Sequence, residues 1–334
     1  MKWQQHSELP VASVAGVGLG WLAAVMVVSG VAAETADATG PSRVSTNSPA
    51  GQAADSGGSF PYPEVKLKEV KRQQDKSSYT LFNPTPDEGM RELTADRPDK
   101  TDCPYTVDAG HFQVEMDYAN YTWDAPIGQP DMKAQGYQLA PMNLKVGVLN
   151  NLDFQLVLSP WQSLRTEDKN TGTVERESGF GDVIPRAKLN LIGNDSGPFA
   201  LALIPFMKIP TAQHTLGNAG WEGGVGIPYA FDVPDWSLGF QTTLSLRHDE
   251  PGDGYHAEIA NSVTVGHAVI GNLEYFVEFF SSASTEPSSD WVGTFDTWFT
   301  YKVNKDLALD AGVYLGLTEA AENWHLWVGM TKRF

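Results

Sequence analysis

Residues 236–247 read WSLGFQTTLSLR, and this stretch decides the fold class. Its even positions are Trp, Leu, Phe, Thr, Leu and Leu, whereas its odd positions are Ser, Gly, Gln, Thr, Ser and Arg. Side chains of a β-strand alternate between the two faces of a sheet, so this spacing predicts a strand with one apolar and one polar face. The same alternation recurs in residues 112–118, 152–158, 273–279 and 307–313.

Segments of this kind number about twelve. They predict an all-β protein built as an antiparallel barrel of about twelve strands, over residues 110–334. The expected spans are 111–123, 135–148, 152–161, 179–192, 199–209, 221–231, 236–248, 256–269, 273–282, 291–303, 306–317 and 323–334.

The connections between segments favour a transmembrane barrel. Connections after even-numbered segments are short, as at 149–151 and 270–272. Those after odd-numbered segments are mostly longer and polar, as at 124–133, 162–178 and 210–220. Outer-membrane barrels have short periplasmic turns and longer external loops, and an even strand count places both barrel ends in the periplasm.

Aromatic residues mark the expected strand ends. Trp residues fall near the long loops, and three other aromatic residues fall near the short turns, which predicts two interfacial girdles. In the alternative, a secreted soluble β-sandwich, Trp would be expected nearer the strand centres. The long-loop set is Trp123, Trp161, Trp221, Trp291 and Trp324, and the short-turn set is Trp236, Phe199 and Phe334.

The last strand, residues 324–334, reads WHLWVGMTKRF and ends on Phe334. It looks like the C-terminal signal of outer-membrane barrels that the assembly machinery reads. We therefore expect two partners besides a small-molecule solute: outer-membrane lipid, and the barrel-assembly machinery through Phe334.

Residues 1–33 have the pattern of a signal peptide: Lys2, an apolar run over 11–31, and small residues ending at Ala33. A retained membrane anchor is the alternative, but Gly16, Gly18 and Gly20 interrupt the run. We therefore expect export and location in the cell outer membrane of a Gram-negative-type envelope.

The residues between this signal and the barrel divide in two. Residues 34–79 are polar and are predicted to be a disordered linker. Residues 80–109 are irregular, with Pro84, Pro86, Pro98 and Pro104, and could fold into the lumen as a plug.

Composition limits the function classes. The 334 residues carry a formal net charge of −18, which argues against nucleic acid as a partner because a polyanion requires a basic surface. The single cysteine, Cys103, excludes an internal disulfide.

A family resemblance covers roughly residues 90–334. Residues 91–115 (RELTADRPDKTDCPYTVDAGHFQVE), 179–188 (GFGDVIPRAK), 208–211 (KIPT) and 328–334 (VGMTKRF) resemble the family "putative MetA-pathway of phenol degradation". The resemblance implies an outer-membrane, transporter-like barrel that passes hydrophobic or aromatic compounds. It carries over no defined functional residue.

Charged residues on the polar strand faces should line the lumen, because Lys or Arg at the lipid midplane costs about 2–4 kcal/mol. They are sorted by sign, basic in the early and middle strands and acidic in the first and the late strands, with Asp153, Lys302 and Arg333 as exceptions. Two interpretations follow. In the first, the charges line a water-filled pore and create an electric field across it. In the second, they form ion pairs that fill the barrel. The candidate lining residues are Glu115, Asp117, Lys145, Arg186, Lys188, Arg247, Glu258, Glu274, Glu278, Asp296 and Asp310.

No motif indicates catalysis. Ser245, His248 and His325 have no spacing that singles them out, and we expect no enzyme, catalytic residue or cofactor. His248 and His256 could bind a metal with Asp249, Asp253 or Glu258, but solvated rim histidines are commoner and no metal is assigned. The sequence thus predicts an outer-membrane channel or transporter for small, aromatic or hydrophobic solutes. A non-conducting structural or adhesive barrel is the alternative.

Overall fold

The structure, a computed structural model, describes residues 75–125, 131–213, 216–249, 254–287 and 289–334. These residues all belong to one compact unit. The predicted signal peptide and residues 34–74 of the predicted linker lie outside the described residues.

Fifteen strands follow one short 3₁₀ helix, Asp87–Gly89. Their bounds are β1 Phe112–Asp124, β2 Met132–Leu139, β3 Met142–Leu149, β4 Leu152–Leu158, β5 Trp161–Asp168, β6 Thr173–Gly179, β7 Ile184–Ile192, β8 Phe199–Lys208, β9 Glu222–Val233, β10 Trp236–His248, β11 Tyr255–Ile270, β12 Leu273–Ser284, β13 Val292–Asn304, β14 Leu307–Gly316 and β15 Trp324–Arg333. Among these residues no helix has the length and hydropathy needed to cross a membrane.

The fifteen strands form a closed antiparallel barrel of twelve, as predicted, because three barrel strands are each interrupted once. β2 and β3 are halves of one strand, and both pair with β1. β4 and β5 are the two halves of the next barrel strand, and β6 and β7 are the two halves of the strand after it. Pro141 and Pro160 lie at two of the interruptions, where a residue without an N–H breaks the hydrogen-bond ladder. Pairing of β1 with β15 closes the barrel.

One expected loop is wrong. Residues 162–178 were predicted to be a long polar connection, but β5 and β6 pair there as a hairpin, from Gln162 with Gly179 to Asp168 with Thr173. The reason is visible in β6, which reads TVERESG and is largely exposed. A strand with polar residues on both faces has no period-two apolar pattern by which sequence could identify it.

The two faces of the barrel differ in chemistry. Large apolar side chains are exposed on the outer face, whereas buried polar and charged side chains cover the inner face. This is the alternation that a lipid-facing wall around a polar interior requires. Outer examples are Phe154, Leu156, Leu189, Leu244, Leu246, Ile259, Phe295, Phe299, Leu309, Leu326 and Val328; inner examples are Gln113, Glu115, Lys145, Asp153, Lys188, Asn190, Gln241, Thr243, Ser262 and Thr264.

Five of the eight aromatic residues predicted for the girdles are exposed, in keeping with interfacial girdles, and Trp123, Phe199 and Trp324 are half-buried. Trp161, Trp221 and Trp291 are exposed near the long loops, and Trp236 and Phe334 near the short turns.

Candidate functional site

The lumen contains the chain that precedes β1. Arg91 anchors this chain at the short-turn end, where its guanidinium donates to Asp195 at 2.8 Å and to the Asn150 side chain at 2.9 Å. The Arg91 carbonyl accepts from Arg333 on β15 at 2.9 Å. Because Asn150 and Asp195 lie in two different turns, this anchor joins three parts of the barrel rim. From here residues 94–107, which we call the lumen segment, follow the inner wall.

One side of the lumen segment faces the basic wall, the inner surface that carries Lys145, Arg186 and Lys188. Asp96 forms ion pairs with Lys145 at 2.5 Å and with Lys188. Asp102 pairs with Arg186 at 2.5 Å. The Lys145 and Lys188 side chains are 2% and 0% exposed, so the Asp96 carboxylate contacts two buried ammonium groups. Lys145 also pairs with Glu115 at 2.5 Å.

Two opposing effects set the pKa of Asp96. Burial by itself would raise it, but the charges of Lys145 and Lys188 outweigh burial and hold the pKa of Asp96 well below its ordinary value. Asp96 is therefore ionised and its pairs with both lysines carry full charge.

The other side of the lumen segment faces the acidic wall, the inner surface that carries Asp117, Glu278, Asp296 and Asp310. The Arg97 guanidinium pairs with both Asp117 and Asp310. The Lys100 ammonium lies 2.7 Å from Asp296, and the Lys100 backbone N–H donates to Glu278 at 2.9 Å. All four acids belong to strands near the closure of β1 with β15.

Most charged residues of the segment carry the charge opposite to the wall they contact, and Asp99, near Thr264, is the exception. Asp96 and Arg97 are consecutive residues that reach opposite walls, as successive side chains of an extended chain do. The sorted charges seen in the sequence thus find their partners on the lumen segment. These contacts favour the ion-pair interpretation of the lumen charges, with partners supplied by residues 96–102.

Three of the predicted lining residues pair with barrel residues and not with the segment among the described residues. Arg247 pairs with Glu258 at 3.3 Å and with Glu222 at 2.6 Å. Glu274 pairs with Lys302 at 2.8 Å, and both side chains are partly exposed.

Sequence reasoning missed two groups of lumen residues. One is the charged set on the segment itself: Asp96, Arg97, Lys100 and Asp102. The other is an inward aromatic cluster, in which Trp298 stacks on Phe276 at 5.2 Å between ring centroids and Trp327 lies 4.2 Å from Tyr314. Strand parity was the available signal, because Trp298 lies two residues from the inward Asp296.

A cavity of about 190 Å³ lies between the segment and the inner wall. Its lining includes apolar side chains from β3, β4, β7, β8, β11 and β12, and polar or charged side chains from the segment, β1, β3, β7, β10 and β14. Two buried polar atoms of lining residues, Oδ1 of Asn143 and Nε of Arg186, have no hydrogen-bond partner among the described residues. Oδ1 of Asn143 is a hydrogen-bond acceptor, and the N–H at Nε of Arg186 is a donor. The apolar lining residues include Val157, Ile184, Ile204, Phe206, Ala260 and Phe280.

His248 and His256, considered from sequence as metal ligands, have different partners in the structure. His256 bonds to Asp249, with Nδ1 2.7 Å from the carboxylate, whereas His248 packs edge-on against Tyr255. Glu258 pairs with Arg247 instead, and Asp253 lies outside the described residues. Ser245, His248 and His325 share no contact: His325 bonds to Thr122 on β1.

Comparison with known proteins agrees with this architecture. Residues 95–334 match the model of the family described as "Putative MetA-pathway of phenol degradation". The chain belongs to this family. No curated protein matches it in sequence.

One solved structure with a TM-score above 0.5 shows the same fold. An outer membrane channel from Pseudomonas putida F1 is 13% identical with a TM-score of 0.53, over 72% of this chain and 100% of that one. The transport unit of the autotransporter AIDA-I from Escherichia coli is 10% identical with a TM-score of 0.40, over 72% and 92%. An anion-selective porin from Comamonas acidovorans is 8% identical with a TM-score of 0.34, over 67% and 98%. The first likeness shows an outer-membrane β-barrel fold. The TM-scores of the other two are too low to show a shared fold.

Proposed function

We propose that this protein is an outer-membrane channel or transporter for small aromatic or hydrophobic solutes, with the lumen segment as its plug. The chain would be exported by its signal peptide and inserted through recognition of Phe334. Support for the plug comes from the ion pairs of Asp96, Arg97 and Lys100 with both walls of the barrel. Support for an outer-membrane channel comes from the family and the shared fold.

The cavity beside the segment is the observation that supports an aromatic or hydrophobic solute. Val157, Ile184, Ile204 and Phe206 offer apolar contact near Arg186, since Arg186 and Phe206 are ladder partners on β7 and β8. A hydroxyl group can donate to Oδ1 of Asn143 and accept from Nε of Arg186, which leaves its ring against the apolar wall. At about 190 Å³ the cavity is smaller than the roughly 300–1,000 Å³ of drug-sized sites, so it suits a single-ring solute.

Binding of phenol and toluene to the purified barrel in nanodiscs, measured by calorimetry, tests this assignment. Phe206→Ala should weaken both ligands because it removes apolar contact. Asn143→Leu should weaken phenol alone, by roughly three- to tenfold, because only phenol makes the hydrogen bond.

Met207→Ala is the matched control, since Met207 neighbours Phe206 but is exposed on the outer face of β8. It should change neither affinity. Absence of saturable phenol binding, or equal losses for phenol and toluene in Asn143→Leu, would contradict the proposed cavity.

Location and conductance are tested separately. The protein should fractionate with outer membranes and change its gel migration on boiling, as closed barrels do. Recovery as a soluble periplasmic protein would end the membrane assignment. A correctly located barrel that never conducts or binds solutes, even with the segment loosened, would favour the structural or adhesive alternative.

A further inference from the structure

A second cluster of polar side chains lies at the long-loop end of the barrel, away from the cavity. Asp249 follows β10, His256 lies at the start of β11, and Glu286 follows β12. One ligand-type atom from each of these side chains lies within 4.8 Å of the other two. The three residues therefore converge from three separate strand ends, and Glu286 could not have been associated with the other two by sequence spacing.

The negative charges of this cluster have no Lys or Arg partner among the described residues, and His256 is the basic group beside them. Asp249 forms an ion pair with His256, and the structure gives neither Asp249 nor Glu286 a Lys or Arg partner among the described residues. Two carboxylates at this separation repel each other unless a cation lies between them. The His256 side chain is only 9% exposed, so its ring is fixed beside the carboxylates rather than free in solvent.

Backbone hydrogen bonds position the ligands independently of any ion. The Thr285 N–H donates to the Ala257 carbonyl at 2.9 Å, and the Ala257 N–H donates to Oγ1 of Thr285 at 3.0 Å. These bonds fasten the residue before Glu286 to the residue after His256. The Asp249 N–H donates to the Gly254 carbonyl at 3.0 Å, and a side chain at Gly254 would collide with the Asp249 carboxylate.

We infer that Asp249, His256 and Glu286 form a binding site for one divalent transition-metal ion, with Zn²⁺ as the best match. An imidazole nitrogen with two carboxylate oxygens suits Zn²⁺, whereas Ca²⁺ and Mg²⁺ prefer oxygen ligands alone. Ligand atoms around a tetrahedral ion with bonds of about 2.1 Å lie roughly 3.4 Å apart, which small side-chain rotations from the present positions would give. A bound ion would join the loop after β10 to the loop after β12.

Zn²⁺ titration of the full mature protein without an affinity tag, with a chromophoric chelator as competitor, tests the site. The wild type should bind about one equivalent, and Glu286→Gln should weaken binding roughly tenfold or more. Gly254→Ala, which keeps every ligand, should also weaken binding because it displaces the Asp249 carboxylate. Excess Ca²⁺ should not compete.

Glu322→Gln is the matched control, since Glu322 lies 3.7 Å from His325 at the same end but has no second carboxylate with it. It should leave affinity unchanged. Heat-modifiable migration shows that each variant is folded. The assignment is overturned by absence of saturable binding, by unchanged affinity in folded Glu286→Gln, or by displacement of Zn²⁺ by Ca²⁺. None of these results bears on phenol binding in the cavity.

Discussion

The lumen segment contacts its two walls with the same kind of arrangement and opposite signs. On the basic side Asp96 holds Lys145 and Lys188, whereas on the acidic side Lys100 holds Asp296 by its ammonium and Glu278 by its backbone N–H. In both cases one segment residue serves two wall residues. A side-chain change at Asp96 therefore removes a partner from two wall residues, whereas a change at Lys100 removes the ion pair with Asp296 and keeps the backbone hydrogen bond to Glu278.

The two sides differ in what their stranded charges can do. Glu278 and Asp296 are direct ladder partners on β12 and β13, so their carboxyl groups are adjacent. Two adjacent carboxylates can relieve their repulsion by taking up one proton between them. Lys145 and Lys188 are not ladder partners, since Lys145 lies opposite Gln155 and Lys188 opposite Asp153, so their ammonium groups cannot share a proton in this way. The basic side should therefore depend more strongly on its segment partner.

The largest effect is expected for Asp96→Asn. This change leaves Lys188, whose side chain is fully buried, without its carboxylate, and leaves Lys145 with Glu115 alone. Removing one partner of a buried ion pair costs about 3–5 kcal/mol. The unfolding midpoint in denaturant should fall accordingly, and ion conductance in planar bilayers should rise because the plug is loosened.

Glu167→Gln is the matched control for Asp96→Asn. Glu167 pairs with Arg165 at 2.8 Å, but both side chains are about a third exposed or slightly less. An exposed pair contributes at most about 1 kcal/mol. Equal losses in the two variants would show that the Asp96 pairs are solvated and would remove the argument for a plug held by charge.

A smaller effect is expected for Lys100→Met, which keeps the apolar stem over the Tyr314 ring, 3.9 Å from the ammonium in the wild type. Loss of the charge should cost about 2 kcal/mol at neutral pH, the scale of a hydrogen bond to a charged group. The loss should shrink in acid because Glu278 and Asp296 can then share a proton. Unfolding midpoints at neutral and acidic pH measure this, and a loss that grows in acid would contradict the comparison.

Sequence predicted the barrel much better than it predicted the lumen. The alternation in β10 comes from lipid on one side and polar groups on the other, so a local pattern records the fold. The lumen segment has no such period. Its residues bond to side chains far along the chain, as Arg97 does to Asp310, and no local pattern records those partners. The acidic and basic walls were visible in sequence, and residues 80–109 were a candidate plug, but the pairing of the segment's charges with the two walls was not predicted.

Asp99 offers the most delicate test, because it lies on the acidic side and pairs with no Lys or Arg among the described residues. Its carboxylate and that of Glu278 both lie near the Thr264 hydroxyl, at 3.2 and 3.1 Å. Burial, with the Glu278 charge beside it, raises the pKa of Asp99 well above its ordinary value. The folded protein thus retains a proton that the unfolded chain releases.

The sign of the pH dependence follows from this raised pKa. The contribution of Asp99 to stability is fully present below the ordinary pKa of Asp, about 3.9, and is lost as pH rises through the higher pKa of the folded state. Asp99→Asn removes the cost of ionisation while its amide oxygen can still accept from Thr264. The variant should therefore match the wild type in acid and become more stable than it as pH rises, the opposite sign to Asp96→Asn. Unfolding midpoints of the two proteins across this pH range measure the difference. A variant that is less stable at neutral pH would mean that Asp99 is an ionised member of the network, and that the acidic wall holds its segment as tightly as the basic wall does.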